Sequence, residues 1–233
     1  METPTDYNER IPIVLVLDVS GSMHGPPIDA LNKALISFKD EIIKDTILSN
    51  RLELAIVAFN DQAEVVRDFD LVQPKTNMPV LEAEGITNMF DGINKAIEII
   101  EDRKQYYKKS EQRYYQPIIV LISDGTPTNT EQQIDDLDQK IQSMSDDKQF
   151  RFMPFGVGEG ADMQTLAKLA AQTEDEKLKE KAIAYKLTDE TKFSNLFVFL
   201  KNVANEAHSG DISNVTLDPD VATAHIFSMD LEL

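Results

Sequence analysis

Wholly apolar runs alternate with amphipathic stretches along this chain, and that alternation predicts its elements. Residues 12–17 are continuously apolar and predict a buried strand. The stretch "IDALNKALISFKDEII" then places Ile28, Leu31, Leu35, Phe38 and Ile42 on one helical face, with Pro26 and Pro27 at its start. Residues 52–59 (LELAIVAF) predict a second strand. Residues 63–69 (AEVVRDF) predict a third, at a sheet edge, joined through an Asn60-Asp61 hairpin turn. A helix is expected over 88–100 with Thr87 or Asn88 as its cap, then a buried strand over 117–123 and an amphipathic helix over 131–144. A strand over 150–157, a helix over 161–171, a short strand over 181–187 and a long helix over 189–207 complete the series.

Uniformly apolar strands followed by helices mean a sheet covered on both faces. The expected fold is α/β: a doubly wound, mostly parallel sheet with one antiparallel edge strand and helices on both faces. In such sheets ligands bind beyond the carboxyl ends of the strands, where strand order reverses. The chain carries an N-terminal arm over 1–10 and a core over 11–208. Residues 209–233 read as an acidic extension outside that core, since 202–233 contain six acids and no Lys or Arg. The strand-like β-branched and aromatic content of "NVTL" and "TAHIFSM" predicts that it packs on the domain or on a neighbour, the alternative being a flexible acidic motif that recruits a partner. The run "TEDEKLKEK" (173–181) reads as a solvated loop.

Composition narrows the function classes. A formal net charge of −18 removes the basic patch that nucleic acid backbones or anionic membranes require. Zero cysteines exclude disulfides, thiolate metal sites and a cysteine nucleophile. The apolar run at 12–17 is too short for a signal segment, and no stretch approaches a membrane span, so a soluble, cytoplasmic protein is expected.

Polar groups stand out at the strand ends. In "LVLDVSGSM" the buried run stops at Asp18, and Ser20 and Ser22 follow at every second position. An extended segment directs such residues to one side, and Gly21 lets the backbone turn between the serines. Asp124 follows another buried strand in "LISDGTPTN", and Thr87 stands at a helix start in "EGITNMF". The five positions supply two carboxylates and three hydroxyls, hard oxygen that suits Mg²⁺, with Mn²⁺ or Ca²⁺ as alternatives. The competing explanation is that each hydroxyl only caps a helix.

Other patterns carry less. "GVGEGA" (156–161) meets the loose dinucleotide fingerprint, but the next strand ends in Leu187 rather than an acid, so a tight strand-to-helix turn is the better reading. "ISDGT" lacks a nucleophile, because Ile122 occupies that position. His24 lies beside the serines with no acid placed to orient it, and Met23-His24-Gly25 reads as an exposed loop. His208 and His225 fall in polar tail sequence.

The set Asp18-x-Ser20-x-Ser22, Thr87 and Asp124 resembles the metal-ion-dependent adhesion site of the von Willebrand factor type A (vWA) family, and the strand and helix order agrees over roughly residues 10–207. The core over 11–208 is thus expected to be a vWA domain. "IPIVLVLDVSGSMHGPPIDALNKAL" and "GVGEGADMQTLAKLA" are most similar to bacterial vWA proteins associated with tellurite resistance. Ile86 departs from the pattern, standing where many relatives have a second glycine. The resemblance implies direct ligation by Ser20 and Ser22, ligation by Thr87 directly or through water, and mainly water-mediated contact from Asp18 and Asp124, which also hydrogen-bond to the serines. It implies a partner protein presenting an Asp or Glu to the metal. It also implies a link to a PP2C-type phosphatase and a protein kinase in a stress-response or phosphorylation-signalling system. A non-catalytic module is expected. The alternative is a metal-assisted hydrolase using the same oxygens, for which the sequence supplies no recognisable general base.

Overall fold

The computed structural model describes residues 8–170, 182–206 and 222–227. The stretch 173–181, His208 and most of the 209–233 extension lie outside the described residues, as do the first seven residues of the N-terminal arm.

Seven strands form one sheet in the order β3-β2-β1-β4-β5-β6-β7. They are β1 Ile11–Asp18, β2 Leu52–Phe59, β3 Ala63–Leu71, β4 Ile118–Ser123, β5 Arg151–Val157, β6 Ala182–Leu187 and β7 Ala222–Phe227. The five central strands are parallel, and β3 and β7 run antiparallel at the two edges. The helices are α1 Pro26–Lys44, α2 Thr46–Ser49, α3 Met89–Lys109, α4 Glu131–Asp146, α5 Met163–Leu169 and α6 Phe193–Glu206.

The apolar runs are double-sided because each strand feeds two cores. Ile13, Leu15 and Leu17 of β1 pack with α1 and α6, while Val14 and Val16 pack with α3, α4 and α5. Strands β2 and β4 divide in the same way. On the first face the rings of Phe38 (α1) and Phe197 (α6) stack with centroids 4.8 Å apart. On the second, Ile93, Ile97 and Ile100 of α3 cover the sheet.

Three elements differ from the sequence expectation. Helix α3 continues to Lys109, nine residues past the expected end, because Tyr107 stays buried and reaches Glu53 on β2. The one-turn α2 had no apolar period to reveal it. It forms because the Asp45 carboxylate accepts the Ile47 and Leu48 N–H groups, both at 3.1 Å. The 209–233 extension, expected to pack on the domain or on a neighbour, supplies β7 in six register pairs with β6, and so adds a second antiparallel edge strand where one was expected.

This order puts the switch point between β1 and β4. Leu17 pairs Ile122, so the end of β1 at Asp18 lies beside Ser123 and Asp124.

Candidate functional site

Asp18 is the last residue of β1 and is fully buried. Its Oδ1 accepts the Ser20 backbone N–H at 2.9 Å, and its Oδ2 accepts the Ser123 hydroxyl at 2.5 Å. The serines that follow turn back over it. Ser20 is extended, and Gly21–Met23 form one 3₁₀ turn. The Ser20 and Ser22 hydroxyls lie 3.1 Å apart, and the Ser22 hydroxyl donates to Asp124 at 2.7 Å across from the β4 end. A methyl group on Gly125 would lie 3.4 Å from both Ser22 Oγ and Thr87 Oγ1. The glycine therefore leaves open a small space walled by hydroxyls of two loops.

None of the three hydroxyls caps a helix. Ser20 precedes the 3₁₀ turn without a side-chain bond to it, and the residue before α1 is Gly25. Asn88, not Thr87, caps α3, its side chain accepting the Asp91 N–H. The capping explanation fails for each of them.

Burial pushes the Asp18 carboxyl above the usual aspartate range, against the pull of its hydrogen bonds from Ser123 and Ser20, and the nearby Asp124 charge adds to the rise. Burial also raises Asp124, opposed by the Ser22 hydroxyl. Two desolvated carboxylates therefore lie close enough for the charge of Asp124 to act on Asp18. Among the described residues no group of three or more His, Cys, Asp and Glu side chains gathers to hold a metal. The donor set is instead two carboxylates, three hydroxyls and the glycine-lined space, all hard oxygen, which fits a small divalent cation.

The structure brings all five sequence-predicted residues to this switch point and adds residues that the sequence reading passed over. Ser123 holds Asp18 from β4; its signal was a polar residue ending a buried strand. Asp61, in the β2–β3 turn, accepts the Ile86 N–H at 2.9 Å and lies against Gly85, whose φ is +79°. The Gly85 carbonyl in turn accepts the Gly21 N–H at 3.0 Å, joining the threonine loop to the serine loop. Asn129 donates to Asn88 Oδ1 at 2.8 Å and accepts the Phe90 N–H at 3.1 Å, while the Thr87 carbonyl accepts from Thr128. The Thr87 loop is thus tied to the Asp124 loop. The exposed-loop reading of Met23-His24-Gly25 is corrected at one residue: Met23 is fully buried, while His24 is exposed.

No helix among the described residues is long and apolar enough to cross a membrane. Among proteins of known sequence, inter-alpha-trypsin inhibitor heavy chain H3 of Mus musculus is 26% identical over 161 residues, which is 69% of this chain and 18% of that one. An uncharacterised protein of Synechocystis is 26% identical over 175 residues, 72% of this chain and 38% of that one. This chain therefore spans well under half the length of either relative. The PilB minor pilin of Streptococcus sanguinis superposes with a TM-score of 0.61 at 13% identity, covering 88% of this chain and 63% of that one. The ArnB paralog VWA2 of Sulfolobus acidocaldarius superposes with a TM-score of 0.51 at 19% identity, covering 83% and 46%. The von Willebrand factor type A domain matches residues 13–198. With that match over most of its length and the doubly wound sheet to go with it, the chain belongs to the von Willebrand factor type A domain family, whose members are generally protein-interaction modules.

Proposed function

We propose that this chain is a metal-dependent interaction module, in which Asp18, Ser20, Ser22, Thr87 and Asp124 hold a divalent cation that draws in an Asp or Glu of a partner protein. One observation carries the reading: oxygens from three separate loops converge at the switch point, and no hydroxyl among them is spent on a helix cap. The donors favour Mg²⁺, with Mn²⁺ or Ca²⁺ as alternatives. When bound, the cation supplies an electrophilic position for an incoming carboxylate. The chain's own part is to keep that position in place. Asp18 anchors the serine loop through the Ser20 N–H and orients Ser123. Asp124 holds the Ser22 hydroxyl, and Asp61 with the Asn88–Asn129 pair holds Thr87 to its neighbours.

The same proposal places the protein in the cytoplasm of a bacterium, in a tellurite-resistance type of stress-response or phosphorylation-signalling system. A PP2C-type phosphatase or a protein kinase is then the partner to try first. This extension rests on likeness of sequence, and the site is read as binding without turnover. A metal-assisted hydrolase would need the exposed His24 imidazole, two residues after Ser22, or a partner residue as its general base.

Isothermal calorimetry with Mg²⁺ tests the site. Wild type should bind one ion, and Asp18→Ala should bind none while keeping its circular dichroism. Equal affinity in the two proteins would remove the site. Capture of a phosphatase or kinase from bacterial lysate, lost on adding EDTA, tests the partner, and Mg²⁺-dependent turnover of p-nitrophenyl phosphate would favour the hydrolase.

A further inference from the structure

The segment from Val80 to Glu84 alternates in burial although it belongs to no strand. Leu81 is buried, and Ala83 packs against the α1/α6 core, as does Met78 before them. Val80, Glu82 and Glu84 are exposed, Val80 at 82%, and beyond the Gly85 bend (φ +79°) Ile86 is exposed at 52%. Alternation with period two is what an extended backbone produces, so Val80, Glu82 and Glu84 form one outward stripe, apolar, acidic, acidic, with the apolar Ile86 following it across the bend.

The stripe is held at several points. Asn32 of α1 bonds both backbone groups of Leu81, at 2.8 and 2.9 Å. The Glu84 N–H donates to the Val19 carbonyl at 2.9 Å, Gly85 accepts from Gly21, and Ile86 donates to Asp61. A surface fixed in this way loses little conformational freedom when something docks on it. Val80 and Ile86 are large apolar side chains left in water at its two ends. Glu82 and Glu84 make no ion pair among the described residues. The stripe is continuous with the oxygen site, since Thr87 follows Ile86 and Glu84 bonds the residue between Asp18 and Ser20.

We propose that this stripe is a second half of the docking surface, and that it selects a partner segment whose metal-seeking Asp or Glu is accompanied by basic and apolar residues. The inference rests on the metal-bridge reading above and deepens it. The cation position asks only for a carboxylate and would accept one from any acidic loop. Glu82 and Glu84 repel a uniformly acidic segment and attract Lys or Arg, which discriminates among carboxylates by the charge beside them. An extended partner strand has the same period, so alternate side chains can meet Glu84, Glu82 and Val80 in turn, with Ile86 meeting the partner across the Gly85 bend.

The probes are two synthetic peptides in both chain directions, each with one Asp. In the first, alternate positions after the Asp carry Leu, Lys, Lys and Leu, spaced by Gly. In the second the lysines are replaced by Glu. With Mg²⁺ present the first should bind about tenfold or more tightly, a size that two exposed ion pairs can supply when attraction replaces repulsion. The double variant Glu82→Lys/Glu84→Lys should reverse the preference. Val80→Ser with Ile86→Ser should weaken binding of the first peptide severalfold, and all four changes, being on exposed side chains, should leave the melting temperature unaltered. Equal affinity for the two peptides, absence of binding by both, or a preference untouched by the charge reversal would overturn the stripe. EDTA reads the other half: charge preference that persists without metal retains the stripe and removes the metal bridge.

Discussion

At the scale of single residues, Asp18 carries the cost of a fully buried carboxylate. Burial raises its carboxyl above the unfolded value of about 4, so the folded, metal-free protein holds that proton more tightly than the unfolded chain does. That contribution to stability is complete below the unfolded value and is lost as pH rises through the folded one. Metal-free wild type at neutral pH therefore bears the cost of a buried charge. Asp18→Asn removes the charge and keeps an oxygen for the Ser20 N–H. In EDTA at neutral pH it should melt at or above wild type, by roughly 2–4 °C for each kcal/mol gained, with the gap closing as pH falls through the carboxylate range. A differential melt from pH 7 to pH 4 reads this, and a variant that melts lower throughout would contradict it. In the presence of Mg²⁺ the order should reverse, because wild type alone gains binding energy. Ser123→Ala leaves Asp18 Oδ2 without its hydroxyl donor. An unsatisfied buried acceptor costs about 1–3 kcal/mol, so this variant should melt roughly 2–12 °C lower.

At the scale of elements, helix α3 meets β2 with almost no clearance at Gly92. A methyl there would lie 2.8 Å from the Phe59 ring, which is fully buried at the end of β2. Alanine gains about 1 kcal/mol of helix propensity over glycine, whereas overpacking a core costs about 1–3 kcal/mol. The second effect wins, and Gly92→Ala should lower the urea midpoint. A raised midpoint would mean that the ring has room to move. The length of α3 belongs to this scale too. Its apolar period is clear through Ile100 and then gives way to "EDRKQYYKK", where charges outnumber apolar residues. The helix continues because Arg103 and Tyr107 turn back to Glu53, which is 4% exposed and also pairs Arg10 at 3.3 Å. A charged helix end seated on a buried carboxylate looks solvated in sequence, since the partner lies about fifty residues away in the chain.

At the scale of the whole molecule, the sheet continues beyond the residues matched by the family domain, which end at 198. Strand β7 pairs β6 from Ala182↔Phe227 to Leu187↔Ala222 and covers an edge that would otherwise be open. Ending the chain after Glu206 should lower the melting temperature by at least a few degrees and expose the β6 amides to hydrogen exchange. Unchanged melting and unchanged protection of β6 would show that β7 adds nothing to the domain. The net charge of −18 acts over the same scale. Self-repulsion is screened over about 8 Å at physiological salt.

The order of elements, the two-sided burial of the strands and the five oxygen-bearing positions were legible in the sequence. Each leaves a local mark: an apolar run, a helical period, or a polar residue at the point where a buried run stops. The fold class follows from those marks because a strand buried on both faces has few ways to be covered. Tertiary structure alone decided which groups touch. Asp18 is held from β4 by Ser123 as well as by Ser20, and Asn88 rather than Thr87 caps α3. Asp61 and Asn129 fix the Thr87 loop from turns distant in sequence, and β7 closes an edge from a segment that resembles a tail. Hydrogen-bond partners depend on register and crossover, and these are set by the packing of all the elements together rather than by any local run of residues.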